Sequence, residues 1–490
     1  MTDLTLLPAV DLARLIASRK LSCVDVMTGF LDRIDAINPA VNAIVSRVER
    51  PTLLAQAEEY DQGEPRGPLH GLPFAVKDVE AVAGLPTTMG SPLLRNQIAS
   101  ADSIMVSRLR AAGAIFIGKT NVPEFGFGSH TYNTVFGTTL NAYDQSRTAG
   151  GSSGGAAVAL ATRMVPLADG SDHAGSLRNP AAFNNVFGFR PSFGRVPAEA
   201  ADVFAASLTV AGPMARSVED LALLLSVQAG PDPRAPLSIR QTAASITAPL
   251  DAPVAGRRIG WLGDLGGYLA VEPGILPLCE SALDVFELLG ATIEPVAIGF
   301  PMGELWEAWT TLRSWGVAAN LGEAYADPAR RDLLKPEAQW EIARGLDISG
   351  SAISAALAVR TRWYLHMLGL FERYDHLVLP TAQVFPFPAE LHWPRTIAGR
   401  AMDTYHRWME VVIPATMAQL PALNVPVGFG SAGLPMGMQI IGRPQGELSC
   451  LQIGHAYDLA TRWPERVPPA LMMAMAPMMT MASSTRPVGV

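Results

Sequence analysis

The sequence predicts an α/β fold, a sheet covered by helices on both faces. Three observations predict it. Segments with helical periodicity alternate along most of the chain with short apolar runs of strand length. The composition suits a large core: 49% hydrophobic and 17% charged among 490 residues, with a mean hydropathy of +0.21. Two clusters of glycine and serine at 147–180 bracket an apolar run, which places that stretch in the core and not in a linker.

In chain order, Leu12, Leu15 and Ile16, then Val24, Met27, Leu31, Ile34 and Ile37 recur at helical spacing, with Ser22 as a cap and Asn38 and Pro39 as the stop. Residues 69–78, LHGLPFAVKD, read as a glycine–proline turn feeding a short strand that ends on Lys77 and Asp78. A helix over 101–112 and a buried strand over 114–118 follow. The first cluster, 150–155, opens a buried helix over 156–162, whose backbone amides converge on one point. A strand over 164–168 leads into the second cluster, 170–176, and a further helix. Residues 186–189 add a core segment. From about 256 the pattern repeats as strand 258–262, helix 273–289 and strand 292–296. Residues 302–372 read as mostly helical and carry Trp306, Trp309, Trp315, Trp340 and Trp363, expected in the core, with one or two lining an aromatic substrate pocket. Strands over 376–379, 422–427 and 437–441 and a helix over 446–461 close the body. The Met- and Pro-rich stretch 471–490 reads as a loosely held tail, so the expected domain is 1–470.

With 37 basic and 45 acidic residues the chain carries −8, which offers no electrostatic case for nucleic acid or an anionic membrane. Cys23, Cys279 and Cys450, odd in number and widely spaced, form neither a disulfide framework nor a metal site, and a reducing cytoplasm is expected. The N-terminus lacks a basic stretch followed by an apolar run, and no segment holds 18 uninterrupted apolar residues, so neither export nor a membrane span is expected. Only four lysines, Lys20, Lys77, Lys119 and Lys335, stand among the 37 basic residues, which makes each a candidate for chemistry.

Three motifs compete. Residues 113–120, GAIFIGKT, match a phosphate-binding loop, but Ala, Ile, Phe and Ile between the glycines form a buried strand and not an amide-lined cradle. Residues 150–154, GGSSG, match a nucleophile elbow, which requires a downstream histidine; His366, His376, His392, His406 and His455 are available, none in a distinctive setting. The third joins Lys77, Ser152 and Ser176. Taken singly, each cluster also reads as a tight turn whose glycines permit positive φ, and Lys77 as a residue at a strand end.

Together these pieces carry a resemblance. GLPFAVKD at 71–78, AGLPTTMGS at 83–91, RLRAAGAIFIGKTNVPEFGFGS at 108–129, GGSSGG at 150–155, GSDHAGSLRNPAAF at 170–183, GPMARSVEDLALLL at 212–225 and LPALNVPVGFGSAGLPMGMQIIGRP at 420–444 resemble the amidase signature family of serine hydrolases over about residues 10–460. Ser152 follows Lys77 by 75 residues and Ser176 follows Ser152 by 24, as in that family. The resemblance implies a single domain with a large mixed twisted sheet, no cofactor and no metal. It implies Ser176 as nucleophile, Ser152 as a bridging serine on a cis peptide, and Lys77 as base. It also implies an oxyanion hole from the amides of His173, Ala174, Gly175 and Ser176, with Asp172 and Arg178 orienting the turns and Ser153 hydrogen-bonded within the site. The chemistry agrees independently. A serine hydroxyl needs a neighbour to accept its proton, a lysine accepts only when neutral, and Leu72, Pro73, Phe74, Ala75 and Val76 before Lys77 lower its pKa by desolvation.

The sequence departs from the family at the hole. The usual pair of glycines before the nucleophile is Ala174 and Gly175, so Ala174 either has negative φ or holds strain. His173 stands where Thr, Ile or Met is common and is either a substrate contact or an incidental side chain. The expected activity is hydrolysis of a small-molecule amide, hydrophobic or aryl, by a monomer or homodimer. Alternatives are a carbamate or ester hydrolase using the same triad, a glutamine-hydrolysing subunit of a transamidation complex, and a binding protein on a dead scaffold, the last opposed by the presence of all three triad residues.

Overall fold

The computed structural model describes residues 3–199, 202–205, 208–241, 243–246, 249–469 and 471. The strands are β1 (Ile44–Val45), β2 (Pro73–Lys77), β3 (Ile115–Thr120), β4 (Tyr132–Asn133), β5 (Gly137–Thr138), β6 (Ala168–Asp172), β7 (Phe187–Arg190), β8 (Val210–Ala215), β9 (Arg258–Trp261), β10 (Thr292–Pro295), β11 (His376–Pro380), β12 (Thr396–Ile397), β13 (Arg400–Ala401), β14 (Ala422–Phe429) and β15 (Pro435–Gly442). The α-helices are α1 (Ala9–Ala17), α2 (Cys23–Val41), α3 (Arg50–Gln62), α4 (Ile104–Ala111), α5 (Gly154–Ala161), α6 (Arg178–Phe183), α7 (Val218–Gln228), α8 (Ile275–Leu288), α9 (Met302–Ala326), α10 (Pro328–Arg331), α11 (Pro336–Leu346), α12 (Gly350–Phe371), α13 (Ile413–Met417) and α14 (Glu447–Thr461).

The main sheet has 11 strands in the order β1-β3-β2-β6-β8-β7-β14-β15-β11-β9-β10. It is mixed: β2 runs parallel to β3 and β6, whereas β6, β8, β7, β14 and β15 are successively antiparallel. Helices flank it. Every residue of α5 is buried, which explains its sequence of Gly, Ala, Val and Leu with no polar face. The strand ends of β2 and β6 and the start of α5 therefore meet inside the core, and all three carry site residues.

Several elements differ from expectation for local reasons. Pro39 does not stop α2, which runs to Val41; the stop is Asn42, left-handed at φ 51°. Asn38 fastens the exit, its Oδ1 accepting from the Ala43 and Ile44 amides at 3.0 and 2.8 Å. The apolar run 164–168 is not a strand. Arg163 turns left-handed after α5, the buried residues 164–167 form the connection, and the strand begins at Ala168. Its polar Ser171 and Asp172 are tolerated at a central position because Lys77 bonds the first and two guanidiniums bond the second. Strand β8, VAGPMA, carries no sequence signal as a strand because Gly and Pro interrupt it; Gly212 is needed there, since a Cβ would meet the Phe189 carbonyl at 2.4 Å. Of the five tryptophans, Trp306, Trp309 and Trp363 are buried, while Trp315 and Trp340 are exposed. The expected tail, Leu471 apart, lies outside the described residues.

Candidate active site

Lys77 ends β2, a strand buried along its whole length. Its amide donates to Asp169 Oδ1 at 2.9 Å, which ties the strand end to β6. Its side chain is fully buried, and Nζ lies 2.8 Å from Ser152 Oγ, 2.9 Å from Ser171 Oγ and 3.4 Å from the Ser171 carbonyl. Burial lowers the pKa of Lys77 from 10.5 to about 7, against the opposing pull of Asp169, Asp172 and Glu80. A neutral amine has two N–H groups and one lone pair. The two oxygens of Ser171 accept the N–H groups, which turns the lone pair toward the Ser152 hydroxyl. Ser171 has no signal of its own in the sequence beyond its membership of the second cluster; its place beside Lys77 becomes visible only once β2 and β6 pair.

Ser152 follows a cis Gly151–Ser152 peptide. The Gly151 carbonyl accepts from Ser129 Oγ at 2.6 Å and the Gly150 carbonyl from Thr131 Oγ1 at 2.8 Å, so loop 129–131 fixes this turn. Ser153 links the two clusters, its amide donating to the Ser176 carbonyl at 3.3 Å. Its hydroxyl, expected to bond within the site, has no partner among the described residues.

Ser176 is 7% exposed and Ser152 3%, so both hydroxyls are largely withdrawn from water. The turn before Ser176 is organised by Asp172. Its carboxylate accepts from the amides of Gly175 (3.0 Å) and Leu177 (3.2 Å), from Arg178 Nε and Nη2 (3.0 and 2.9 Å) and from Arg190 Nη1 (3.2 Å). Burial alone would push this carboxyl up, but the two guanidiniums and the amides hold it well below the usual carboxylate range. Gly175 takes φ +85°, and a Cβ there would meet Val412 at 2.9 Å. Ala174 keeps a negative φ, so the alanine fits without backbone strain. The Gly175 amide, expected in the oxyanion hole, is instead spent on Asp172.

His173 is half-buried. Its Nδ1 pairs with Thr209 Oγ1 at 2.9 Å, its ring meets Trp309 edge-on at 6.2 Å, and Nε2 has no partner among the described residues. Burial, then Arg313 and Arg190, lowers its pKa well below the ordinary value, so the imidazole is neutral. Behind Trp309 lies a satisfied polar cluster. Arg313 Nε and Ser314 Oγ donate to the Glu341 carboxylate at 2.6 and 2.8 Å, Arg313 Nη2 bonds the Tyr405 hydroxyl at 2.8 Å, and His406 Nε2 pairs with Glu341 at 2.9 Å. Trp306 and Trp340 pack on His406.

The histidines that a nucleophile elbow at 150–154 would need are engaged elsewhere. His376 pairs with Ser449 at 3.1 Å, His366 with the Ile298 carbonyl, His406 with Glu341, and His392 and His455 stand 3.7 and 3.6 Å from Glu337 and Asp251. Among the described residues none of them bonds Ser152. Ile115–Thr120 is a buried strand whose Lys119 pairs with Asp78 at 3.6 Å, leaving no phosphate cradle. Among the described residues no group of three His, Cys, Asp or Glu side chains gathers as metal ligands, and no single helix is long and apolar enough to cross a membrane.

Comparison with known proteins gives the family. A family model described as Amidase matches residues 25–451. An acylamidase of Rhodococcus erythropolis is 35% identical over 484 residues, covering 94% of this chain and 97% of that protein. One subunit of the glutamyl-tRNA(Gln) amidotransferase of Thermosynechococcus vestitus is also 35% identical, over 485 residues, covering 94% and 98%. The crystal structure of a bacterial aryl acylamidase of the amidase signature family superposes with a TM-score of 0.88 at 30% identity, covering 98% of this chain and 99% of that one.

Proposed function

The chain belongs to the amidase signature family, whose members cleave amides, and on that premise we propose that Lys77, Ser152 and Ser176 carry out hydrolysis of a hydrophobic or aryl amide through an acyl-enzyme. Ser176 Oγ attacks the carbonyl carbon while its proton passes to Ser152 Oγ, whose own proton passes to neutral Lys77. Charge developing on the carbonyl oxygen is met by the amides of Ala174 and Ser176, with that of His173 beside them. The ammonium of Lys77 returns a proton through Ser152 to the departing nitrogen, the C–N bond breaks, and the amine leaves. Water then attacks the ester carbon, the same relay takes its proton, and Ser176 is released with the carboxylic acid. Asp172 and Arg178 position the turn and take no proton.

The observation that carries this reading is the buried amine of Lys77, 2.8 Å from Ser152 Oγ and with a pKa of about 7. A lysine titrating there is half neutral near neutral pH, whereas an ordinary lysine is almost wholly charged. The similarity to an acylamidase and to an aryl acylamidase supports an apolar or aryl substrate. The nearby Arg313 is already committed to Glu341 and Tyr405, so it offers no free charge to a zwitterion such as glutamine.

On this reading the chain works as a monomer or homodimer in the cytoplasm, where its three buried free cysteines stay reduced. The similarity to the tRNA-dependent amidotransferase favours one second reading, a glutamine-hydrolysing subunit that depends on a partner. Steady-state assays of the purified chain on acyl anilides, aliphatic amides, carbamates, esters and glutamine separate the two. Turnover of anilides by the chain alone, with glutamine poor, is the expected result; activity confined to glutamine, or absent without a partner, overturns it.

A further inference from the structure

A groove of about 400 Å³ runs between the outer face of α12, the end of α13 and the segment just after β7. None of the residues assigned to catalysis lines it. Leu357, Arg360 and Tyr364, at i, i+3 and i+7, form one stripe of α12, and Phe193 and Ile239 supply apolar surface from other segments. Leu357 is 44% exposed, a large apolar side chain left uncovered beside this space.

Arg360 is the one charged side chain among the lining residues. Its Nε donates to the Met417 carbonyl at 3.0 Å. Among the described residues its terminal nitrogens have no hydrogen-bond partner and no carboxylate within ion-pair distance, and burial lowers its pKa with no acid to offset it. Other arginines of the interior have their terminal nitrogens occupied: Arg178 and Arg190 hold Asp172, Arg195 holds Glu447, Arg313 holds Glu341, and Arg163 and Arg216, which also lack a carboxylate, donate to backbone carbonyls. A guanidinium partly withdrawn from water without a counter-ion retains two parallel N–H donors that match a carboxylate. The volume lies in the range of small-molecule sites, and apolar walls with one convergent charge are the usual make-up of such a site. Arg190 lies within electrostatic range of Arg360 but is held by Asp172 and does not line the groove, and one available cation suits a planar monoanion better than phosphate.

We propose that this groove binds a small carboxylate with an aryl or branched aliphatic body, the carboxylate paired with Arg360 and the body against Leu357, Phe193 and Ile239. Acids of this kind are what amide hydrolysis releases; that link alone rests on the proposed function, while the binding does not.

The test is isothermal titration calorimetry of the full chain, without turnover, using 4-phenylbutyrate, 4-phenylbutanol and inorganic phosphate. Arg360→Gln, Arg360→Lys and Leu357→Glu are compared with the wild type. The last places a carboxylate one turn from Arg360 at an exposed position, so it carries the test even if Arg360→Gln unfolds. Saturable binding of the acid is expected, weakened about tenfold or more by Arg360→Gln and by Leu357→Glu, less by Arg360→Lys, with the alcohol weaker by about the same factor. Absence of saturable binding at millimolar concentration overturns the proposal. So does equal affinity in the wild type and Arg360→Gln, which would place the acid elsewhere, including the catalytic centre. Phosphate binding as tightly as the acid, with the same dependence on Arg360, overturns the assigned ligand class.

Discussion

Replacing Lys77 by methionine tests the electrostatics of the site in two observables at once. The lysine titrates at about 7 in the folded chain against 10.5 in the open. At about 1.36 kcal/mol per pH unit, the gap of about 3.5 corresponds to a penalty on the order of 5 kcal/mol for holding the ammonium in place. Because the folded pKa is the lower one, the unfolded chain binds more protons between the two values, and stability rises with pH there. The penalty is complete below about pH 7, shrinks through the window from about 7 to 10.5, and is absent above it. Methionine removes the titration but also strips Ser152 and Ser171 of their partner, at about 1–3 kcal/mol for each orphaned hydroxyl. The absolute stability change at neutral pH is thus a near balance, and the slope is the sharper reading. Urea unfolding followed by tryptophan fluorescence should show the wild type gaining on Lys77→Met by about 4 kcal/mol between pH 6 and 10. In the wild type, kcat/KM for an amide should fall about tenfold per pH unit below about pH 7, while the variant loses amide turnover. A difference in stability that stays flat with pH, or an acidic limb near 10, refutes the reasoning.

Lys77→Arg is expected to be nearly as inactive on amides as the methionine variant, since a guanidinium stays charged; near-native kcat would exclude the lysine as base. Asp172→Asn leaves Arg178 and Arg190 without their buried carboxylate, and urea titration should show a loss of about 3–5 kcal/mol together with loss of turnover. His173→Asn should leave the acidic limb of kcat/KM where it is, because the neutral imidazole does not titrate in that range; a displaced limb would make His173 the titrating group. Ala174→Gly should not raise kcat/KM for amides, as Ala174 has no positive φ to relieve, and a clear rise would reveal strain at the hole.

The catalytic candidates are legible in the sequence because each sits in a local pattern. Lys77 closes an apolar strand, and Ser152 and Ser176 each sit in a turn dense in glycine. What joins them is not legible there. Ser171 reaches Lys77 only through the pairing of β2 with β6, and the carboxylate of Asp172 gathers amides from its own turn and guanidiniums from α6 and β7, 6 and 18 residues away. The apolar run at 164–167 imitates a strand because a buried connection and a buried strand have the same composition. Strand β8 escapes notice for the converse reason: its Gly and Pro read as breakers, although the sheet requires the absent Cβ at Gly212. Pro39 reads as a stop, yet in the last turn of α2 it costs one hydrogen bond and the left-handed Asn42 ends the helix. The Ala174 question, strain or negative φ, is open in the sequence and closed by one dihedral angle.

The measurement that bears most directly on the central claim is the site of covalent labelling by a serine-directed fluorophosphonate, mapped by mass spectrometry after digestion. The adduct should appear on Ser176 in the wild type, be absent from Ser176→Ala while that variant keeps its unfolding midpoint, and form more slowly in Ser152→Ala and Lys77→Met, where the proton has no path away. An adduct on Ser152 in place of Ser176, or labelling that proceeds at the wild-type rate without Lys77, would contradict the account.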